Sequence, residues 1–459
     1  MSEAKGSNEP AHANPTSTGQ DDNETAQQRL SRSNAEIWSE WQLDVNADPY
    51  AIPLHKLNPA HPALFEADAF WPYFERLRAE APVSLTEESQ FGPYWNITKY
   101  DDIKHVDTSH EIFSSDSRMG GIRLGGQVVL DEEPDPTFHL PMFIMEDQPK
   151  HDEQRKVVAP MFAPRHLAEF EPLIRARAQE ILEGLPRNET FNWVDLVSKD
   201  LTGRMLATLF GVPQEDRDKL IYWSDTVENI SNPEVFETPE QGFQELWNCW
   251  QYFDDVWKER ANQKEPGGDL ISMLVHGEST KDMPPNEYLG NILLLIVGGN
   301  DTTRNSITGG VLALNQNPDE YQKLRNDPGV IPNMISEIIR WQSPVAHMCR
   351  TALVDTEIRG QKIAKHDKIC MWYISGNRDE DAFVDPNSFR IDREDARKHL
   401  SFGFGIHRCL GNRLGEMQLR ILWEEIMQRF PKIEVVGDPV YLKSSFIHGI
   451  RELPVRIPA

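Results

Sequence analysis

Phe402-Gly403-Phe404-Gly405-Ile406-His407-Arg408-Cys409-Leu410-Gly411 is a glycine-punctuated loop that delivers one cysteine to the start of a helix. The run after it, 412–430, carries Leu419, Leu422, Trp423, Ile426, Met427 and Phe430 at spacings of three and four, which predicts a helix with one buried face. Cys409 then sits near a helix N-terminus, where free backbone N–H groups and the dipole stabilise a negative sulfur. With no second cysteine nearby, such a thiolate suits an axial iron ligand rather than a disulfide or a zinc site. N–H donors on the sulfur would draw charge off it and tune the iron's potential. Gly403, Gly405 and Gly411 lack a Cβ, which permits tight turns and lets a flat macrocycle approach the backbone. Phe402 can lie against the sulfur's surroundings and keep water away. The competing reading is a buried structural cysteine in a Gly-rich turn, the default for a lone Cys.

The pattern Phe-x-x-Gly-x-x-x-Cys-x-Gly, filled by Phe402, Gly405, Cys409 and Gly411, resembles the haem-binding loop of the cytochrome P-450 monooxygenases. The resemblance runs from about residue 60 to the C-terminus, with the motifs in the family's order. It implies a mainly α fold with small β-sheets: one triangular helical prism with a long central helix over the haem. It also implies haem b (iron protoporphyrin IX) as cofactor, with Cys409 as its thiolate ligand and only metal ligand from the chain.

The chain of 459 residues is long enough for one large domain with ample core. Residues 1–35 are rich in Ser, Asn, Glu, Thr, Gln and Asp and nearly free of large apolar residues, so a disordered tail is expected there, followed by one catalytic domain over 36–459. No signal peptide or membrane anchor is expected, since the longest strongly apolar run, 292–297, falls far short of the roughly 20 residues that span a bilayer. Cys249, Cys349, Cys370 and Cys409 show no paired spacing, which fits a reducing cytoplasm. A net charge of −26 argues against nucleic acid as a partner. Helical patterns cover 70–79, 172–185, 198–210 and 243–260; strand-like stretches are fewer, at 83–85, 94–97, 357–359, 370–373 and 454–457.

A long helix is predicted over 286–314, and its middle reads Val297-Gly298-Gly299-Asn300-Asp301-Thr302-Thr303. Two adjacent glycines inside a helix cost about 1 kcal/mol each against alanine. A ligand approaching closely would justify them. Thr302 can also turn its hydroxyl onto a backbone carbonyl and open a local groove or bulge. This run resembles the family's Ala/Gly-Gly-x-Asp/Glu-Thr signature, which implies that Asp301 as acid and Thr302 as alcohol pass protons from solvent to dioxygen as its O–O bond breaks. A tightly packed helix crossing is the alternative.

Glu337-Ile338-Ile339-Arg340 places an acid and a base at i, i+3, a pair worth a few tenths of a kcal/mol if exposed. The resemblance implies that Glu337, Arg340 and a later Arg393 form a structural ion-pair set before the haem loop. Haem propionates need cationic or donor partners, and the positions that match the family's are His151 and Arg155 on one helix face, Arg350, and His407.

From Arg393 to Arg420 the basic residues Arg393, Arg397, Lys398, Arg408, Arg413 and Arg420 outnumber the acidic Glu394, Asp395 and Glu416, a candidate docking patch for an acidic electron donor. The stretches 299–306, 336–344, 371–379 and 419–426 resemble the soluble bacterial alkane and fatty-acid terminal hydroxylases. That subgroup uses O₂ and takes electrons from a 2Fe-2S ferredoxin and its NADH-dependent reductase. Two departures are Cys349, where a basic residue is expected, and the Gly-rich insert 119–126 in a substrate-facing loop. By analogy a small apolar substrate would be lined by Leu294, Val297, Gly298, Val345, Ala346, Phe446, Ile122, Leu124 and Val128. A terminal methyl has a stronger C–H bond than its neighbours, so preference for it must come from positioning in a narrow apolar channel. A terpene or steroid is the alternative substrate. A peroxide-driven peroxygenase and a haem sensor are the alternatives of other classes, and both have less need of the Asp301–Thr302 pair.

Overall fold

The computed structural model describes residues 33–126, 128–129, 134–263 and 267–459. The expected polar tail lies outside them except at its end. There Asn34 is buried, opens the helix Asn34–Ser39, and donates its side-chain amide to the carbonyls of Ile230 and Phe236. The described residues therefore begin before residue 36.

The helices that frame the site are α1 (Lys150–Val158), α2 (Pro164–Glu183), α3 (Asp200–Phe210), α4 (Arg217–Asn229), α5 (Pro285–Gln316), α6 (Ile331–Gln342) and α7 (Asn412–Arg429). The apolar periodicity is their cause. In α6, Ile331, Met334, Ile335, Ile338 and Ile339 recur at helical spacing and all are buried. The expected helix 172–185 begins eight residues earlier, at Pro164. Pro172 is tolerated because it and Ala168, whose carbonyl its missing N–H leaves free, are both exposed to water. The expected 198–210 helix starts inside a π-helical turn, Val194–Lys199, that runs into α3.

Five short strands make the main sheet: β1 (Val83–Thr86), β2 (Tyr94–Ile97), β3 (Phe113–Ser114), β4 (Met348–Ala352) and β5 (Lys368–Met371). Their order is β1-β2-β5-β4-β3, with β2 and β5 parallel and the other pairs antiparallel. The expected strands 357–359 and 370–373 are displaced: Arg359 takes a left-handed turn conformation after Thr356–Ile358, and Tyr373 already opens the short helix Tyr373–Gly376.

α5 is buried nearly all round and runs through the main apolar core, against α3, α4, α6 and α7. Small residues let α6 come close: a Cβ at Gly310 would lie 2.9 Å from Ile338 Cδ1, and one at Gly309 would overlap the Gln342 amide. Two further apolar clusters flank the sheet. No helix among the described residues is long and apolar enough to cross a membrane.

Candidate functional site

The cysteine loop is closed by its own backbone. Cys409 N–H donates to the Phe402 carbonyl at 2.8 Å, and Gly403 and Gly405 have φ of +63° and +65°. At Gly405 a Cβ would come 2.5 Å from the Asp107 carbonyl oxygen, so glycine is required there twice over. Gly411 differs. Its φ is −89°, and a Cβ would meet only Phe162 at an ordinary 3.7 Å, so neither the turn nor the protein around it demands glycine. The Phe402 ring sits 5.0 Å from His399, whose pKa burial pushes down to about 3, so that imidazole is neutral.

Cys409 is exposed, yet its sulfur is set deep enough that burial raises the thiol pKa. The Gly411 N–H and the Arg155 and Arg408 charges pull it back down.

Asp107, which no local sequence signal marks, anchors this loop. Its buried carboxylate accepts from Phe404 N–H at 2.7 Å, the Tyr373 hydroxyl at 3.0 Å and Arg350 Nη2 at 2.7 Å. Burial raises its pKa, and Arg350 and the donors oppose that rise. Arg350 Nη1 also donates to the Cys349 carbonyl at 2.7 Å. The guanidinium expected at a propionate is thus fixed in place by the protein itself, with further N–H donors to spare.

His151 and His407 lie with ring centroids 4.3 Å apart, both buried. His151 Nδ1 meets Asp152 Oδ1 at 2.7 Å, while His151 Nε2 and both nitrogens of His407 have no hydrogen-bond partner. Burial lowers the pKa of each; Arg350, His151 and Arg155 drive His407 further down. Arg155 donates to the Arg408 carbonyl, beside Cys409. An orphaned buried polar atom costs about 1–3 kcal/mol. Donors concentrated beside one thiol suit a macrocycle that carries two carboxylates, and the residues present fit haem.

The second half of the site is on α5, which packs against α7, the helix that follows the cysteine. Within its buried run Gly298 is exposed and Thr302 half-buried, and a Cβ at Gly298 would find nothing within 4 Å. Gly299 serves another purpose, since a Cβ there would lie 2.9 Å from Leu206 of α3. Thr302 Oγ1 donates to the Gly298 carbonyl at 3.0 Å. The helix is unbroken through this turn, so no bulge forms and the groove comes from the missing side chain at Gly298. A Cβ at Gly415 of α7 would lie 3.7 Å from Thr303 Oγ1, which brings the cysteine's helix to α5 one residue from Thr302.

Asp301 is fully buried and turned toward α4. It accepts from Ser224 Oγ at 3.1 Å and Asn300 Nδ2 at 3.1 Å and pairs with Arg304, which bridges to Asp225 at 2.7 Å. Lys199 approaches Asp225 at 3.5 Å, nearer the surface. Burial pushes Asp301 up to about 7, with Arg304 opposing and Glu228 and Asp225 reinforcing. A carboxyl poised near neutrality at the end of a charged chain can hold and release a proton. Ser224, Asp225 and Arg304 carry no motif that would have singled them out in sequence.

Glu337, Arg340 and Arg393 come together, fully buried. Arg340 grips Glu337 in bidentate fashion at 2.7 and 2.8 Å, and Arg393 Nε reaches Glu337 at 3.1 Å. The remaining guanidinium donors go to carbonyls of Asn377, Val384, Asp385, Pro386 and Ser388.

The proposed lining set divides. Leu294, Val297 and Gly298 keep accessible surface on α5, and Phe446 and Leu124 are partly buried. Val128 bridges Met119. Ala346 has no accessible surface; it belongs to the cluster around Trp372 and is removed from the set. Val345 and Ile122 are nearly as buried, at 9% and 5% exposure. The basic patch contracts as well. Arg393 is interior, and Arg420 is held by Glu171 at 3.1 Å and Glu424 at 2.8 Å. Arg397, Lys398, Arg408 and Arg413 stay exposed, and the three arginines surround Glu416.

Comparison with known proteins places this arrangement. The family model described as Cytochrome P450 matches residues 83–440. Linalool 8-monooxygenase of Pseudomonas putida is 35% identical over 86% of this chain and 97% of its own length. The methyl-branched lipid omega-hydroxylase of Mycobacterium tuberculosis (strain ATCC 25618 / H37Rv) is 32% identical over 83% and 90%. Among solved structures, cytochrome P450-153 from Novosphingobium aromaticivorans superposes with a TM-score of 0.82 at 43% identity, covering 88% of this chain and all of that one.

Proposed function

Because this chain belongs to the cytochrome P450 family of haem b monooxygenases, we propose that it hydroxylates the terminal methyl group of a medium-chain alkane or fatty acid. In this reading Cys409 is the thiolate ligand, and electrons come from a ferredoxin and its NADH-dependent reductase. The observation that carries it is the pairing of two elements: one thiol flanked by neutral imidazole and guanidinium donors, and a bare glycine step on the buried helix that packs against the cysteine's own. The haem, when bound, supplies reductive activation of O₂, so that substrate, O₂, two electrons and two protons give alcohol and water.

The chain's own residues supply the rest. His151, His407, Arg155 and Arg350 hold the propionates. Gly298 leaves room for the macrocycle and its small ligands. Thr302 keeps a hydroxyl at the same step, and Asp301 passes protons inward from the Arg304–Asp225–Lys199 chain. Leu294, Val297 and Phe446 offer apolar surface that aligns a chain end-on, which is what attack on a methyl group requires. Arg397, Lys398, Arg408 and Arg413 form a positive face for an acidic ferredoxin on an otherwise acidic protein.

Terminal oxidation is supported by the resemblance of the motifs around 299–306 and 371–379 to terminal hydroxylases and by the relative named an omega-hydroxylase. A terpene is the second reading, favoured by the relative named for linalool. Reconstitution with ferredoxin, reductase and NADH, followed by product analysis on alkanes, fatty acids and linalool, tests this. Primary alcohols of the linear substrates are expected. Turnover of linalool alone would transfer the assignment to terpenes, and oxidation only with added peroxide would overturn the ferredoxin-driven reading.

A further inference from the structure

The sheet holds a second constellation of metal-binding chemistry, apart from the Cys409 loop. Cys349 on β4 and Cys370 on β5 are directly opposed in the antiparallel ladder, and both are fully buried. His347, two residues before Cys349, is 1% exposed. One ligand atom from each of the three lies within 4.8 Å of the others. His347 Nδ1 approaches the Ser445 carbonyl at 2.8 Å. A carbonyl can only accept, so Nδ1 carries the hydrogen and Nε2 is left with a bare lone pair. Nε2 is buried and has no nitrogen or oxygen partner, and the neighbour it interacts with is the Cys349 thiol. A Nδ1–H donated to a backbone carbonyl is the arrangement that orients a metal-ligating imidazole through Nε2.

From this geometry we propose that His347 Nε2, Cys349 Sγ and Cys370 Sγ form a three-coordinate site for one soft, thiophilic d¹⁰ metal ion, Cu(I); Zn(II), which takes four ligands in closed structural sites, is the poorer fit. Sulfur and imidazole select soft or borderline ions over Mg²⁺ and Ca²⁺, which prefer oxygen. Binding would release one proton from each thiol. Two thiolates and a neutral imidazole leave a Zn(II) site neutral and a Cu(I) site at −1. The Lys368 ammonium, anchored on the Gly120 and Gly121 carbonyls at 2.7 and 3.0 Å, lies near enough to both sulfurs to interact with their charge. It balances the monovalent ion and so favours Cu(I). The site would clamp β4 to β5 one residue before Arg350, whose guanidinium holds the Asp107 anchor of the cysteine loop.

The test is metal analysis of haem-loaded protein produced in medium supplemented with zinc or, separately, copper, then passed through a desalting column with chelator. About one equivalent of copper per haem, and less of zinc, is expected; the copper falls at least tenfold in Cys349→Ser and in His347→Ala. Each variant is compared at equal Soret absorbance, so a misfolded protein does not count. Cys349→Ala together with Cys370→Val, which keeps the interior apolar, should lose the metal and keep the haem. Absence of metal in the wild type with two free thiols overturns the proposal, and so does a Cys349–Cys370 disulfide.

Discussion

Two polar clusters lie near the cysteine loop, and they are finished differently. In Glu337, Arg340 and Arg393 the charges pair and the remaining guanidinium donors find carbonyls. In His151, His407 and Arg155 three ring nitrogens are left without partners. The first cluster is complete within the chain, and its work is to hold the segment 377–393 against α6. The second becomes complete only with a molecule that brings acceptors. A saturated buried network marks structure; an unsaturated one beside a thiol marks a binding site.

The sharpest way to break that contrast is to open the saturated cluster. Glu337→Ala strands two buried guanidinium groups, which costs about 3–5 kcal/mol, a large share of the 5–15 kcal/mol typical of a folded protein. Most of the haem-loaded protein should be lost, read by urea unfolding and Soret yield. An unchanged midpoint would show that the cluster is not structural.

Asp301→Asn comes next. Turnover with ferredoxin should fall about 10²-fold, as for a missing proton donor, while the protein stays folded. Asp301 titrates near 7 in the fold, so it carries its proton below that pH and loses it above. Wild-type turnover should therefore decline as pH rises through about 7, and the Asn variant should lack that inflection. The linkage has a definite sign. The unfolded chain releases this proton near 3.8 and the folded one near 7. The group's contribution to stability therefore falls as pH rises across that window, and Asn should flatten the fall.

His407→Ala tests the unsaturated side. Loss of one donor should weaken haem retention about tenfold, by about 1–3 kcal/mol, measured as haem transfer to apomyoglobin. The protein part should not be destabilised. A large drop in unfolding midpoint without loss of haem affinity would reverse the assignment. The smallest effect is at the surface. Arg408→Glu should slow electron transfer several-fold at low salt and little at high salt. Arg420→Glu, whose charge Glu171 and Glu424 already neutralise, should act on stability instead.

Legibility in the sequence followed locality. The Cys409 loop, the Gly298–Thr302 step and the Glu337–Arg340 pair are each set by neighbours within a few residues, and each is found where its motif placed it. Asp107 was invisible because its partners Arg350, Tyr373 and Phe404 lie more than 200 residues away in sequence. Ser224 and Asp225 were hidden by a shorter but still non-local separation, 77 and 79 residues from Asp301 and Arg304. Ala346 was misassigned because neighbours on an extended segment alternate faces, so Val345 keeps a little surface and Ala346 points into the cluster beneath. Arg420 looked free because charge counting ignores the α2 residue that pairs with it.

The reduced carbon monoxide complex, recorded for wild type and for Cys409→Ala purified under identical conditions, tests the central claim most directly. The wild type should show the red-shifted Soret band of thiolate-ligated haem, and the variant should lose it. The same band in both proteins would contradict Cys409 as the ligand, and an imidazole-type band in the wild type would contradict the haem-thiolate site itself.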